Sequence, residues 1–573
     1  MTQPAGFDRR LSTDVRRSIG AGRWTYPPQR PVFPEIRVFG RWWSVAWLAV
    51  AAAAALLSVH VFSTWWIETP AGRAFVERYP GSAATPLPGV QGFPAWLRWQ
   101  HYLNLLFLSL IVRAGIQILA DHPRLYWNRH CTPGSEWLRF QIPVPTDRDW
   151  TARDDAVTLP GWLGLPGLRH SIGLARWWHF SIDLLWVANG FVFVALLFWT
   201  EQWRRLVPAS PDVFAHAASV AVQYAALAMP HENGWIRYNA LQQLAYFSVV
   251  FIAAPLAIVT GLAQAPAIGN RLHAVSRALH RQSARSLHFL VLCYFVFFVA
   301  THVAMVFATG FRRNFNHIVM GTDAGDGSGF AVGMAGLGVV ALVWAAATPL
   351  TLRRPELVRS TGRALVGWIK VLMEWWDPKL EHTEREISPY FWHNGRMPAG
   401  PAFDAAVASG FAGYRLRVFG SVERPAELSI DELRALGFTE QITEHFCIQG
   451  WTGIAKWGGT PMARLIERVA PRPGARFVVF YSFGEGSDGG RYYDVHTIDD
   501  MRHVRSILAY EMNGETLPVR FGAPLRLRCE NQLGFKHVKW IEAVEFVEDY
   551  RTLGLGRGGY NEDHEFFGFH API

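Results

Sequence analysis

The sequence predicts an all-α transmembrane helical bundle of about six spans, followed by an α+β, β-rich soluble domain. Half of the 573 residues are hydrophobic and 14% aromatic against 18% charged, and 26 tryptophans point to lipid contact. Apolar runs long enough to cross about 30 Å of hydrocarbon recur between residues 42 and 349. Beyond residue 385 the pattern turns to short β-branched and aromatic segments bounded by Gly and Pro, the mark of strands. Length alone implies more than one core.

Residues 1–41 form a basic polar N-terminal segment. No apolar run follows its basic start closely, so no cleaved signal peptide is expected, and Arg9-Arg10 is a twin arginine in name only. The membrane domain is placed at 42–350, with spans at 42–66, 101–120, 177–199, 238–262, 287–309 and 329–349. The run 212–229 is shorter, carries His216 and Gln223, and reads as an interfacial or re-entrant helix; a seventh span there would invert everything after it. Residues 351–384 read as a basic, Trp-containing connector lying along the membrane surface. The soluble domain is placed at 385–573, with strands at 414–420, 475–481 and 524–529 and helices near 429–436 and 460–470. Ser429 with Glu432 three residues on makes a capping box.

A net charge of +9 could serve nucleic acid or an anionic membrane, and the position of the charge decides. The arginines flank apolar runs, which excludes a nucleic-acid partner and sets topology instead. The first 41 residues hold eight arginines, and the loop after the second span holds Arg124, Arg129, Arg139, Arg148, Arg153 and Arg169. The loop after the fourth holds Arg271, Arg277, Arg281 and Arg285 with no acid, and Arg353, Arg354, Arg359, Arg363 and Lys370 follow the sixth. The alternate loops hold two or three each. Both termini and the soluble domain are therefore expected on the cytoplasmic side. The cysteines at 131, 293, 447 and 529 have neither CxxC nor zinc-type spacing, so no disulfide framework is expected.

His288 and His302 stand 14 residues apart in one apolar span. That spacing returns to nearly one helix face about 21 Å further along, so one helix can ligate two stacked haems. The partner imidazoles are His101 and His179, each near the start of an apolar run. With the orientation above, His101 and His302 fall near the outer face and His179 and His288 near the inner face. Ionisable groups in spans are costly and usually functional, although capping or hydrogen bonding within the bundle is the bland alternative. His60 in the first span rivals His101, whereas His216, His231, His273 and His280 read as interfacial. The paired spacing resembles the di-haem cytochrome b subunits of formate dehydrogenases and nickel-iron hydrogenases over about residues 95–310. The additional first span departs from the simplest four-helix version.

Cys447 follows an apparent strand and precedes a Gly- and Trp-rich loop, Gly450-Trp451-Thr-Gly-Ile-Ala-Lys456-Trp457. A lone cysteine is more often inert core, but a thiolate there is a nucleophile or a soft-metal ligand. Four ordered motifs surround it: Pro389-Tyr-Phe-Trp-His393-Asn394-Gly395, Cys447 itself, Leu508 to Pro518 with Gly522 to Leu527, and Gly534-Phe-Lys536-His-Val-Lys539-Trp540. Together they resemble the sulfite oxidase family of molybdenum-cofactor enzymes, particularly its methionine-sulfoxide-reductase-like bacterial branch. The resemblance implies Cys447 as molybdenum ligand and catalytic residue, and His393 and Asn394 beside the molybdopterin. The pterin phosphate calls for cations, which Arg520, Arg526, Lys536 and Lys539 can supply. Ile448, Gln449 and Gly450 stand where sulfite-oxidising members have arginines, which makes an uncharged oxide at least as suitable as sulfite.

These readings converge on a molybdopterin-dependent oxidoreductase of the bacterial inner membrane. It exchanges oxygen atoms with a small S-oxide, N-oxide or oxyanion and trades electrons with quinone or quinol through two haem b groups, in contact with lipid; homo-oligomerisation is left open. The rival reading is a haem-containing redox sensor or anchor whose C-terminal part is a non-catalytic binding module. A haem-free, transporter-like scaffold is a second rival.

Overall fold

The computed structural model describes residues 11–12, 31–81, 92–165, 172–229, 234–374, 381–395, 397–485, 489–559 and 569–573. Arg9-Arg10, Arg169 and His231 lie outside them.

Among the described residues six helices are long and apolar enough to cross a membrane: Val45–Glu68, Ala95–Ala120, Ile172–Trp199, Ala240–Ala263, Arg281–Ala308 and Ser328–Arg353. Their outer faces carry Trp47, Leu56, Phe191, Val296 and Leu342, all exposed, as side chains facing lipid require. The first span starts later than its apolar run. Trp42–Ser44 belong instead to a hairpin, Glu35–Val38 with Arg41–Ser44, whose turn residues Phe39 and Gly40 both have positive φ. Ser44 then caps the helix by accepting from the Ala46 amide at 3.3 Å. The third and fifth spans begin before their apolar runs, because Arg176, Arg281, Gln282 and Arg285 are buried against protein rather than lipid. The fourth span carries a π-helical turn at Ser248–Ala253, just ahead of Pro255, whose ring nitrogen cannot donate.

The run 212–229 holds a 13-residue helix, Val213–Ala225, about 20 Å long and too short to span. It packs beside the first span, where His60 Nδ1 lies 2.7 Å from the Ala225 carbonyl. After the sixth span, helix Pro355–Glu374 buries Val358 and Val366 against Leu174 and Trp177 while leaving Leu357, Trp368, Val371 and Leu372 exposed.

The C-terminal part is two sheets on one core. The first runs Arg491–Thr497, Phe477–Glu485, Ile541–Val547, Leu416–Gly420 and Ala426–Leu428, with one parallel pairing, between Ile541–Val547 and Leu416–Gly420. The second runs Glu515–Thr516, Ser506–Met512, Thr452–Pro461 and Thr439–Phe446, with Arg526–Cys529 also on Ser506–Met512. Val418, Phe480 and Val544 meet Leu508 and Leu527 between them. Helices Ile430–Ala435 and Met462–Val469 fall where the pattern predicts them, and Ser429 and Glu432 form the capping box.

The loop between the second and third spans is folded rather than loose. Its short strands Arg124–Leu125 and Leu138–Arg139 join the N-terminal hairpin in a four-stranded sheet. Arg124, fully buried, donates to Asp155 at 2.8 and 2.9 Å and to Glu136 at 3.0 Å. Breaking such a buried network strands a carboxylate, so Arg124→Ala is expected to destabilise this region by about 3–5 kcal/mol, read as a lower thermal unfolding midpoint. Burial would raise the Asp155 carboxyl, but Arg124 and His122 together outweigh it and hold it down at about 2. Because the folded pKa lies below the ordinary value of 3.8, the stabilisation is complete above that value and is lost as pH falls toward 2. Hydrogen exchange of residues 121–157 is expected to be unchanged between pH 7 and pH 5, after correction for the intrinsic exchange rate, and to rise below about 4.

Candidate molybdenum and haem sites

Cys447 sits at the end of strand Thr439–Phe446, where a tight turn leads into Thr452–Pro461. The Gly450 amide donates to the Cys447 carbonyl at 3.1 Å, and the Cys447 amide donates to Trp451 at 3.2 Å. Gly450 has φ +113°, and a Cβ there would lie 3.2 Å from the Arg285 guanidinium, so both conformation and space favour glycine. The Cys447 side chain is 4% exposed and lies 3.8 Å from Gln449 Oε1. Burial pushes its thiol up to about 12, so it stays protonated at neutral pH unless a cationic centre stabilises the thiolate.

Asn394 donates to Gln449 Oε1 at 2.8 Å, so the entry motif and the cysteine turn meet at one glutamine. His393 Nε2 lies 2.9 Å from Asp149, and burial lowers its pKa despite that carboxylate. Lys539 donates to the Asn394 carbonyl and lies over Trp540. The four candidate cations have different surroundings. Lys536 is ion-paired with Asp494 and donates to the Val495 carbonyl at 2.7 Å, and Arg520 is exposed. Arg526 is buried over Trp457 and donates to the Phe521 carbonyl at 2.7 Å. Burial drives both Arg526 and Lys539 well below their ordinary pKa values, and neighbouring cations push them lower still, Arg528 acting on Arg526 and Arg526 on Lys539. Two such cations in an apolar interior call for an anion.

Further donors point the same way. Trp451 Nε1, Trp457 Nε1 and Arg526 Nε are buried without a hydrogen-bond partner. Buried polar groups are ordinarily satisfied, so donors left open around a lone thiol fit a polyanionic cofactor that brings its own acceptors. Molybdopterin is such a group: Cys447 would hold the metal, and Arg526, Lys539, His393 and Asn394 would border the pterin.

The membrane helices reach this turn directly. Arg281, at the start of the fifth span, donates to the Cys447 carbonyl from two nitrogens at 3.2 Å. Gln282 donates to the Gly450 carbonyl at 2.9 Å, and Arg176 of the third span to the Ile448 carbonyl. Arg281 lies seven residues before His288, about 10 Å along the helix, and Arg176 only three before His179.

The four bundle histidines form two facing pairs. The His179 and His288 rings lie 6.4 Å apart and the His101 and His302 rings 6.2 Å. Two metal–imidazole bonds of about 2 Å each, plus the half-widths of two rings, come to about this separation. Nδ1 of His179 lies 3.2 Å from the Ile111 carbonyl, that of His288 3.0 Å from Thr260 Oγ1, and that of His302 3.2 Å from the Tyr246 hydroxyl. Holding one ring nitrogen leaves the other to face a metal, the arrangement haem ligands use, and His179 Nε2 also lies 3.5 Å from Asp183. Gly115 keeps room beside His179, since a Cβ would lie 3.3 Å from its ring, whereas a Cβ at Gly261 would make ordinary contact with His288 at 3.6 Å. His101, rather than His60, is the imidazole facing His302.

Residues 404–552 match the family model described as "Oxidoreductase molybdopterin binding domain". This part of the chain is an oxidoreductase domain of that type. A protein of Azospira oryzae named a putative protein-methionine-sulfoxide reductase subunit YedZ1 is 33% identical over 27% of this chain and 55% of its own length. The protein-methionine-sulfoxide reductase catalytic subunit MsrP of Xanthomonas campestris pv. campestris is 33% identical over 24% of this chain and 45% of its own. The chain thus spans about half the length of these curated relatives. A sulfane dehydrogenase structure from Paracoccus pantotrophus overlaps 24% of this chain and 38% of its own at 19% identity and TM-score 0.22.

In the molybdopterin-binding domain Cys447, Arg526 and Lys539 lie within the matched residues, whereas His393 and Asn394 precede them. Sequence reasoning missed the membrane-side contributors Arg176, Arg281, Gln282, Asp149 and Ala152. A signal existed for one of them. Arg281, Arg285 and His288 follow at intervals of four and three residues, one helix face. Counted only as topology markers, those arginines hid their contact with the cysteine turn.

Proposed function

We propose that the chain is a membrane-bound molybdenum-dependent oxidoreductase that couples oxygen-atom transfer on a small sulfoxide-like or sulfite-like substrate to the quinone pool through two b-type haems. The observation that carries the proposal is the contact of Arg176 and Arg281 with the Cys447–Ile448 carbonyls, because those arginines sit on the helices that bear His179 and His288. When bound, the molybdenum cofactor supplies the two-electron exchange that an oxygen-atom transfer requires. In the reducing direction an S-oxide, two electrons and two protons give a sulfide and water. Cys447 would hold the metal, His179 with His288 and His101 with His302 the haem irons. Arg526 and Lys539 would neutralise the pterin anion.

Reduction of a sulfoxide-like substrate by quinol is the favoured direction, supported by the names of the curated relatives and by Ile448, Gln449 and Gly450 after the cysteine, which offer no cation for sulfite. The arginine asymmetry supports a bacterial cytoplasmic membrane with the soluble part inside, which also lets the cofactor be inserted without export of a folded domain. Purified protein is expected to hold haem and molybdenum near two to one. Haem without molybdenum would favour the rival sensor or anchor, and molybdenum without haem would remove the quinone link.

A further inference from the structure

We propose that Arg176 and Arg281 hold the propionate carboxylates of the inner haem, so that the haem's acidic edge and the backbone of the Cys447 turn share one pair of guanidiniums. The proposal rests on the di-haem reading above and assigns the site of that haem's anionic edge.

Arg176, Arg281 and Arg285 are buried at the starts of the third and fifth spans, none more than 8% exposed. Among the described residues, none of the three has a carboxylate within ion-pair distance. Asp155 is already paired with Arg124, and Asp121 and Glu444 act from further off. The groups that engage these arginines are uncharged. Arg281 donates to the Cys447 carbonyl from two nitrogens at 3.2 Å, Arg176 to the Ile448 carbonyl, and Arg285 to the His122 carbonyl at 2.9 Å. Nε of Arg176 and of Arg281 is buried without a hydrogen-bond partner. A guanidinium has five N–H donors, so these carbonyls leave it under-bonded and its charge uncompensated. Clustered like charges in such an interior are costly unless an anion joins them.

Placement says which anion. Arg176 stands three residues before His179, and Arg281 seven before His288. At 3.6 residues per turn these offsets fall within about 60° and about 20° of the histidine's face, about 4.5 Å and about 10 Å nearer the start of each helix. Both arginines therefore stand on the soluble-domain side of the inner imidazole pair, whose rings lie 6.4 Å apart. A b-type haem carries both of its carboxylates on one edge of the ring. That edge avoids hydrocarbon, where an unpaired charge is costly. Turned to the helix starts, it meets one arginine from each ligand-bearing helix. A lipid phosphate is the competing anion, but it would have to enter a cluster less than a tenth exposed. The arginines thereby fix the distance from the haem edge to the cysteine turn, which Gln449 holds from its other side by donating to the Ala152 carbonyl at 3.2 Å.

The test uses the full-length holoprotein carrying haem isotope-labelled at the propionate carboxyls, and reads redox-induced infrared difference spectra together with both haem potentials. Arg176→Gln and Arg281→Gln are each expected to shift the labelled carboxylate bands of one haem. They are also expected to lower that haem's reduction equilibrium constant about tenfold, which is about 59 mV for one electron. The other haem is expected to keep its bands and its potential. Arg277→Gln removes an exposed charge from the same basic loop and is expected to move neither. If a Gln variant sheds the haem, Arg281→Lys, which keeps the charge, decides: a retained haem with shifted bands supports the contact, and unshifted bands oppose it. Labelled bands unmoved in every arginine variant with both haems present, or an equal shift in Arg277→Gln, would overturn the proposal. Loss of copurified phospholipid phosphorus with unmoved bands would overturn it too, giving the arginines to a lipid phosphate. Wild-type protein that holds no haem would instead overturn the di-haem reading.

Discussion

Cys447→Ser is expected to abolish oxide turnover while leaving the haem spectrum and the fold intact. The side chain is 4% exposed and lies 3.8 Å from Gln449 Oε1, with which a serine hydroxyl can bond, so the substitution opens no cavity and strands no partner. The loss is chemical. A thiolate is a soft ligand that a buried alkoxide cannot replace, and a barrier higher by about 4 kcal/mol slows turnover about a thousandfold. Dye-driven turnover, molybdenum content and reduced-minus-oxidised haem absorbance on one preparation separate the possibilities. Full activity in the variant would remove Cys447 from its assigned role.

His288→Ala and His302→Ala are each expected to remove one haem, halving the b-type absorbance of the reduced protein, and the double variant to remove all of it. Each imidazole faces a single partner across 6.4 or 6.2 Å, so losing one leaves a single protein ligand to that iron. Quinol-driven turnover is expected to disappear in both. Dye-driven turnover is expected to persist in His302→Ala, because His302 lies 14 residues further along the span than His288, about 21 Å beyond it and further still from the end that touches the cysteine turn. Unchanged haem absorbance in both variants would remove these ligands from the proposal.

Span positions were legible because lipid imposes a one-dimensional rule: about twenty apolar residues in a row. The rule fails at the ends of the third and fifth spans. There protein replaces lipid, and Arg176, Arg281 and Gln282 extend the helices with polar residues. Trp42–Ser44 mislead in the opposite way, since an apolar pair in a short hairpin reads as the start of a span. Strands in the soluble part were legible from their Gly and Pro boundaries, but the parallel pairing of Ile541–Val547 with Leu416–Gly420 joins segments over a hundred residues apart and leaves no local trace.

By itself the sequence determined that the chain has six apolar spans and a β-rich oxidoreductase domain, and it marked His101, His179, His288, His302 and Cys447 as the residues to watch, because hydropathy, helical spacing and short motifs are local properties. Only the tertiary structure decided which imidazoles face each other, that Lys536 among the four cations is paired with a carboxylate, and that the cysteine turn is held by two membrane helices and covered by a membrane loop. Each of those is a distance between residues remote in the chain. Such distances are set by how the whole core packs, and packing is a property of all the elements together.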